Sequence, residues 1–505
     1  MPERAKAANS SKATRSARKL VLVVVDGMRP ASLAKAIDDG AAPNFARLIR
    51  EGFASGECIS SFPSLTPVAT SMIVTGTGPD RHGVPSMHWY KRDERRYVDY
   101  GISFPAARRS GLISVLKDLV YRINEEHLNA STPTFFESLE RAGIRCACTT
   151  YMIYRGPHEH EFIGSGVPGA LAGVTGMSRP GYGPTDLIYG DIFDSQGTDC
   201  RSNYGVPGRR DQHTACAGVE IVADGNYDFL LLSFPDNDNY SHRLGPDEQP
   251  RSIANADAQF QRVIDSYGGY RRFTEDHAVI VVSDHSHSKV SEGVDLLLML
   301  AEHEWDVLAP RQGRRKRNAA QIAASPAARV GNLYVLDEDR LGTEVPLLVH
   351  DLRRQATVDQ VLWLEAGNEA AVAMGEAELR FAPGDQFEDL RGQKWDVDGD
   401  LSALDLQTQD GLIFSERYPD ALARSWSGLT CPGSGDVMVT PEIGYEFYDW
   451  GGVAHVGGGT HGSLHHADSA AQLIVHGTGE SREHQPTWSI ADINSLVLEH
   501  FTAPR

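Results

Sequence analysis

Short apolar runs alternate along the chain with amphipathic stretches. Leu20-Val-Leu-Val-Val-Val25 is continuous, apolar and largely β-branched, and it stops at Asp26-Gly27. Such a run suits a parallel strand buried on both faces. Phe229 to Phe234 and Ala278 to Ser283 read the same way; the first is followed by a polar loop, the second ends in Asp284-His285. Arg145 to Thr150 and Gln472 to His476 are further strands. Helical patterns lie between them. One runs from Pro43 to Glu51, with its proline early and Gly52 after its end. Others run from Thr66-Pro67 to about Val74, from Pro133 to Ala142 and from Ile490 to Phe501. Ile253, Ala256, Phe260, Val263, Ile264 and Tyr267 share one helical face. Strands alternating with helices predict a layered α/β domain with a mainly parallel central sheet flanked by helices.

Two regions break this rhythm. Residues of about 86–130 and 152–215 are rich in Gly, Pro, Tyr and Arg and show little period. Residues of about 305–440 show short strands and acidic patches. Within them, Arg311-Gln-Gly-Arg-Arg-Lys-Arg317 is read as a solvated basic loop. The expected organisation is a disordered basic tail at 1–18 and one domain over 19–505. Its insertions, at about 86–215 and 305–440, form a cap.

Composition narrows the classes. A chain of 505 residues, 41% hydrophobic, can bury a large core. The net charge of −20 argues against nucleic acid as a partner, although bound cations could still draw in a small anionic substrate. No apolar segment precedes Leu20, and no run is long enough to span a bilayer, so a cytoplasmic protein with no membrane partner is expected. Oligomeric state is not legible. Six cysteines without a CxxC pair suggest no disulfide framework, one or two bridges being compatible. In Cys146-Ala147-Cys148 successive residues point to opposite faces of a strand, and the thiols are read as buried.

The candidate chemistry gathers at strand ends. In an open α/β sheet, ligands bind at the carboxyl ends of the strands. Asp26, the Asp236-to-His242 loop and Asp284-His285 all follow predicted strands. They offer the oxygens and imidazole nitrogens that bind Zn²⁺ or Mn²⁺. One such Asp is usually a helix cap; three strand ends with this chemistry are harder to explain so. Asp238 and His242, four apart, can reach one ion, with Asp236 the rival carboxylate. His461 lies in Gly457-Gly-Gly-Thr-His461-Gly-Ser, with His455 and His465 as alternatives. Thr66 stands where a hydroxyl is most often an N-cap. The same helix N-terminus favours an anion, and a metal bound to the hydroxyl would make it a nucleophile.

In order, Val25-Asp-Gly-Met-Arg29, Ala42 to Leu48, Phe62-Pro-Ser-Leu-Thr66, Ile73 to Gly76, Asp80-Arg-His-Gly83, Asp238 to His242 with Gly245-Pro246, Ser283-Asp-His285 and Thr460-His-Gly462 resemble the nucleotide pyrophosphatase/phosphodiesterase branch of the alkaline phosphatase superfamily. The resemblance spans roughly residues 20–85, 225–290 and 450–500. It implies an alkaline phosphatase-like core and two divalent metal ions, Zn²⁺ foremost and Mn²⁺ as the alternative. By match, Asp26, Thr66, Asp284 and His285 would hold one ion, and Asp238, His242 and His461 the other. Thr66 would attack phosphorus in line and form a phospho-threonine intermediate. Leu65 and Ala69 beside it are apolar and give no donor to a phosphoryl oxygen, so a nucleotide substrate does not follow. Asn237, Asn239, Tyr240 and His287 are candidates to supply one. Cys58-Ile-Ser60 lacks the CxPxR segment of the sulfatases.

The implied activity is metal-dependent hydrolysis of a phosphodiester, pyrophosphate or related phosphonate in a small molecule. The alternatives are a phosphomutase-type transferase or phosphomonoesterase of the same superfamily, and a non-catalytic phosphoester-binding protein. Trp89, Tyr90, Tyr151, Tyr154, Arg155, His158 and His160 are candidates to touch substrate.

Overall fold

The computed structural model describes residues 19–164, 176–202, 209–311, 319–365, 369–478 and 487–502. The 1–18 tail and Gln312 to Arg317 of the basic cluster lie outside the described residues.

A nine-stranded sheet forms the centre. Its strands are β1 (Lys19–Val25), β2 (Phe53–Ile59), β3 (Cys146–Thr149), β4 (Asp186–Tyr189), β5 (Phe193–Asp194), β6 (Phe229–Phe234), β7 (His277–Val282), β8 (Ala470–His476) and β9 (Trp488–Ser489). Their spatial order is β9-β2-β8-β7-β1-β6-β3-β4-β5. β1 pairs in parallel with both β6 and β7; β6 with β3, β3 with β4, and β2 with β9 are parallel too. Only β8, against β7 and β2, and β5, against β4, run antiparallel. The sheet is therefore mainly parallel, as the apolar runs predict.

β1 shows why its sequence is apolar without alternation. Leu20, Leu22 and Val24 enter the core on one face, and Val21, Val23 and Val25 enter the core on the other. Burying each such side chain is worth about 1.5–3 kcal/mol, so neither face tolerates a polar residue. Cys146 and Cys148 share one face of β3, with Ala147 on the other. Four helices matter for the site: α1 (Thr66–Thr75), α2 (Arg210–Asp224), α3 (Asp236–Leu244) and α4 (Gln249–Ser266). The predicted apolar face of α4 is buried from Ile253 to Ile264, and Tyr267, just past its end, packs at the margin.

The region of about 305–440 is more regular than its sequence suggests. It builds most of a second, ten-stranded sheet, largely antiparallel, whose longest strand is Ala377–Glu388. Ala327 and Val330 at its near end share a core with Phe62, Leu65 and Val68, which clamps α1 between the two sheets. The region of about 86–130 also contains unforeseen structure. A hairpin, His88–Lys91 with Arg96–Asp99, precedes helices Phe104–Ser110 and Leu112–Lys117 and a π-helical segment, Asp118–His127. A π-helix does not keep the 3.6-residue period, and this one buries Asp118, Asn124 and His127 among apolar residues. One disulfide, Cys200–Cys216, ties the loop before α2 to that helix. Among the described residues, no helix is long and apolar enough to cross a membrane.

Candidate active site

β6, β1 and β7 are neighbours, so their carboxyl ends open on one edge of the sheet. The register pairs Val25 with Phe234 and Val24 with Val282. Asp26, the start of α3 and Ser283-Asp284-His285 therefore leave the sheet side by side. α3 begins at Asp236, and its helical turn puts Asp238 and His242 on one face, with His242 Nε2 3.3 Å from Asp238 Oδ1. The loop carrying His461 is clipped beside them by pairing of Ser288 with Thr460. His461 Nε2 lies 3.5 Å from Asp238 Oδ1, and its ring stacks on His285 with centroids 3.6 Å apart.

Thr66 does not cap its helix. Leu65 occupies the N-cap position of α1 and gives no side-chain cap. The Thr66 hydroxyl instead lies 3.2 Å from His285 Nε2. His285 Nε2 is also 3.4 Å from Asp26 Oδ1 and 3.6 Å from Asp284 Oδ2. All seven candidate residues thus meet around one point. Asp236 does not join them, because its carboxylate accepts from Arg210 Nε and the Asp211 amide. His465 caps a short helix, and His455 bonds through Nδ1 to Glu446 while its ring lies tilted against His242.

The donor set fits divalent cations. Asp26, Asp284 and His285 form one group whose ligand atoms could hold a metal ion; Asp238, His285, His287 and His461 form another. Buried Asp26 Oδ1 and Asp284 Oδ2 have no hydrogen-bond partner among the described residues. Burial, reinforced by the charges of Asp284 and Asp238, pushes the Asp26 carboxyl well above its ordinary range. Burial likewise pushes Asp284 up to about 6, against the pull of the Gly27 amide. Burial works against Asp238 as well, but the attraction and hydrogen bonds of His242, with those of His287 and His461, hold it well below the usual range. Crowded carboxylates of this kind call for a positive charge between them. The imidazoles are set to meet one. His242, His285 and His461 each turn Nδ1 to a backbone carbonyl, of Gly459, Ser286 and Ser64 respectively, which frees Nε2.

The site opens into a cavity of about 550 Å³ lined by Met87, Tyr100, Tyr151, Met152, Tyr189 and Arg210, among others. A larger cleft, about 970 Å³, lies at the second sheet and contains none of the seven candidates. Of the aromatic and basic residues expected to touch substrate, only Tyr151 lines the site cavity. Trp89 and Tyr90 are in the core, Tyr154 bonds to the Val120 carbonyl, Arg155 to Leu128 and Asn129 carbonyls, His158 to Glu140, and His160 to the Pro184 carbonyl. Arg210, Arg243 and Tyr100 were not expected. Arg210 opens a helix inside a stretch read as irregular, and Arg243 follows His242 directly, a signal that could have been used. Asn237 is committed to the Asp26 carbonyl and to Ser252, whereas Asn239 borders the cavity. Ala69 is fully buried in the core and offers the cavity nothing.

The family described as type I phosphodiesterase/nucleotide pyrophosphatase matches residues 20–464. The chain belongs to this family. As a member of the type I phosphodiesterase/nucleotide pyrophosphatase family it is a phosphoester hydrolase, and it has the alkaline phosphatase-like fold. Solved structures agree on the fold over nearly the whole chain. Phosphonoacetate hydrolase from Sinorhizobium meliloti, in complex with phosphonoacetate, is 16% identical with a TM-score of 0.55, covering 96% of this chain and 97% of that one. Murine ectonucleotide pyrophosphatase/phosphodiesterase 5, in complex with AMP, is 12% identical with a TM-score of 0.55, covering 97% and 96%.

Proposed function

We propose that the protein hydrolyses phosphodiester, pyrophosphate or related phosphonate bonds of a small molecule through a phospho-Thr66 intermediate. The observation that carries this reading is the position of Thr66 Oγ1, off its own helix and 3.2 Å from His285 Nε2, where the two ligand groups meet. Asp26, Thr66, Asp284 and His285 would hold one divalent ion, and Asp238, His242 and His461 the other. Two such ions, Zn²⁺ in this reading and Mn²⁺ as the alternative, supply charge that offsets the phosphoryl oxygens and lowers the pKa of a nearby hydroxyl.

The chain's own residues then divide the work. The α1 N-terminus offers the phosphoryl group the Thr66 amide and the positive end of the helix dipole, since Pro67 has no N–H and the Val68 and Ala69 amides donate to the Leu65 carbonyl. Thr66 Oγ1 forms a bond to phosphorus while the bond to the leaving atom breaks, oxygen in an ester or pyrophosphate and carbon in a phosphonate. The proton lost by Thr66 is balanced by one taken up by the leaving group. Water next adds to phosphorus, the Thr66 ester bond breaks, and the hydroxyl is restored. Tyr100, Tyr151, Tyr189, Met87 and Met152 give flat and apolar walls, which suit an organic group attached to phosphorus. A cavity of this size suits a small molecule.

Cytoplasmic location, with neither membrane nor nucleic acid as partner, belongs to the same proposal. The Cys200–Cys216 disulfide weighs against it, since such bonds persist chiefly in oxidising compartments. The test is a panel of nitrophenyl monoesters and diesters, nucleoside pyrophosphates and phosphonates, with metal analysis on the same sample. Chelator-sensitive turnover of diesters, pyrophosphates or phosphonates supports the proposal. Release of an isomerised product, turnover of monoesters alone, or tight binding without turnover contradicts it.

A further inference from the structure

One buried imidazole beside the site is held differently from the rest. His287 follows His285 by two residues and is fully buried. Its Nε2 lies 3.0 Å from Asp238 Oδ1, and its buried Nδ1 has no partner among the described residues. His242, His285 and His461 show a different pattern, with Nδ1 bound to a backbone carbonyl and Nε2 turned to Asp238 or Thr66 at the site. That pattern prepares a ring to ligate through Nε2; the His287 pattern does not.

The proton of His287 is therefore placed by its surroundings. With the proton on Nε2, the ring donates to a carboxylate and leaves Nδ1 as a bare acceptor. With the proton on Nδ1, a buried N–H would be orphaned and two lone pairs would face each other. Orphaned buried N–H groups are rarer than under-satisfied acceptors, so the first arrangement stands.

Three segments fix the ring. The strand beyond it pairs with the His461 loop, Ser288 against Thr460. The ring also lies against Gly27, where an added Cβ would stand 2.5 Å from Nε2. Asp238 Oδ1, its acceptor, is the atom that faces both His242 and His461.

We propose that His287 is a positioning residue for the second metal centre, whose Nε2–H holds the Asp238 carboxylate in the orientation that lets it act with His242 and His461. This rests on the two-ion reading above. His242 and His461 also face this carboxylate, but once both ligate through Nε2, His287 is the side-chain donor left to it among the described residues. Loss of the His287 donor would free it to rotate away, and metal affinity would fall without loss of any ligand.

The test is a Zn²⁺ titration of the metal-stripped full chain, by calorimetry or chelator competition, in wild type, His287→Gln and His287→Met. Thermal melts of the metal-free proteins check that each is folded. Wild type should take up two ions. His287→Gln, whose amide can still donate, should hold the second ion within about threefold of wild type, and His287→Met should hold it about 10–100-fold more weakly with the first ion unaffected. Unchanged affinity in His287→Met would overturn the proposal. So would a His287→Gln as weak as His287→Met, since the ring would then itself be a ligand. Fewer than two ions in wild type would overturn the two-ion reading, and this proposal with it.

Discussion

Thr66 Oγ1 lies 3.2 Å from His285 Nε2, across a gap of 219 residues in sequence. That contact separates two roles a threonine at a helix start can have. A capping hydroxyl turns back to its own helix amides, and this one does not. It faces the imidazole that also neighbours Asp26 and Asp284.

Removing the ions should loosen the fold. Asp26, Asp238 and Asp284 converge in a buried pocket, and bound cations relieve their mutual repulsion. Ligand binding to the folded state stabilises it by mass action, about 2.7 kcal/mol at a hundredfold excess over Kd. Chelation should lower the thermal midpoint, and Zn²⁺ or Mn²⁺ should restore it. Calorimetry that shows the same midpoint with and without chelator would rule out a filled, folded-state metal site.

The pH response of the metal-free protein has a definite sign. Burial raises the Asp284 carboxyl from its ordinary range to about 6, and burial with neighbouring charges raises Asp26 well above its ordinary range. A carboxyl raised on folding stabilises the folded state below its unfolded value and loses that contribution as pH rises through its folded value. Between pH 4 and 7, metal-free wild type should thus lose roughly 2–3 kcal/mol relative to Asp284→Asn. Metal affinity should rise over the same range, because these carboxyls must release protons to ligate. Urea unfolding at several pH values checks the first statement and calorimetry the second. A pH-independent difference between the two proteins would contradict it.

Arg329 and Asp468 hold the ligand loops from behind. Both are fully buried, and Arg329 Nη1 is 2.7 Å from Asp468 Oδ2. The Arg329 amide donates to the His461 carbonyl, and the Ser286 amide donates to the Asp468 carbonyl. Removing one partner leaves a buried charge, which costs about 3–5 kcal/mol. Arg329→Met should therefore melt well below wild type and bind metal more weakly. A melt within a degree of wild type would show that the pair holds nothing in place.

Gly27 should tolerate no side chain. Its φ is +64°, and a Cβ there would lie 2.5 Å from His287 Nε2 and 3.3 Å from His285 Cε1. Gly27→Ala should cost roughly 2–4 kcal/mol, from backbone strain plus the forced shift of a packed ring. Thermal melting measures it, and an unchanged midpoint would mean that the two histidines move freely.

Much of this arrangement is legible in the chain itself. β1, β6 and β7 could be read because burial on both faces demands uninterrupted apolar runs, and their ends mark Asp26, Asp238 and Asp284. The placing of His461 was legible only through glycines around it and through family resemblance. The substrate wall was not legible. Tyr100, Met87 and Tyr189 come from segments without a period, and their approach to the site depends on tertiary packing. Sequence offered His287 as a donor to a phosphoryl oxygen; that its Nε2 faces Asp238 instead depends on tertiary packing.

The most direct measurement is hydrolysis of a nitrophenyl phosphodiester by wild type and Thr66→Ala, with metal content determined on the same samples. The expected loss is about 10³-fold or more in kcat/KM, with Asp26, Asp238, His242, Asp284, His285 and His461 still retaining metal. Equal rates in the two proteins, at equal metal content, would contradict the assignment of Thr66 as the nucleophile.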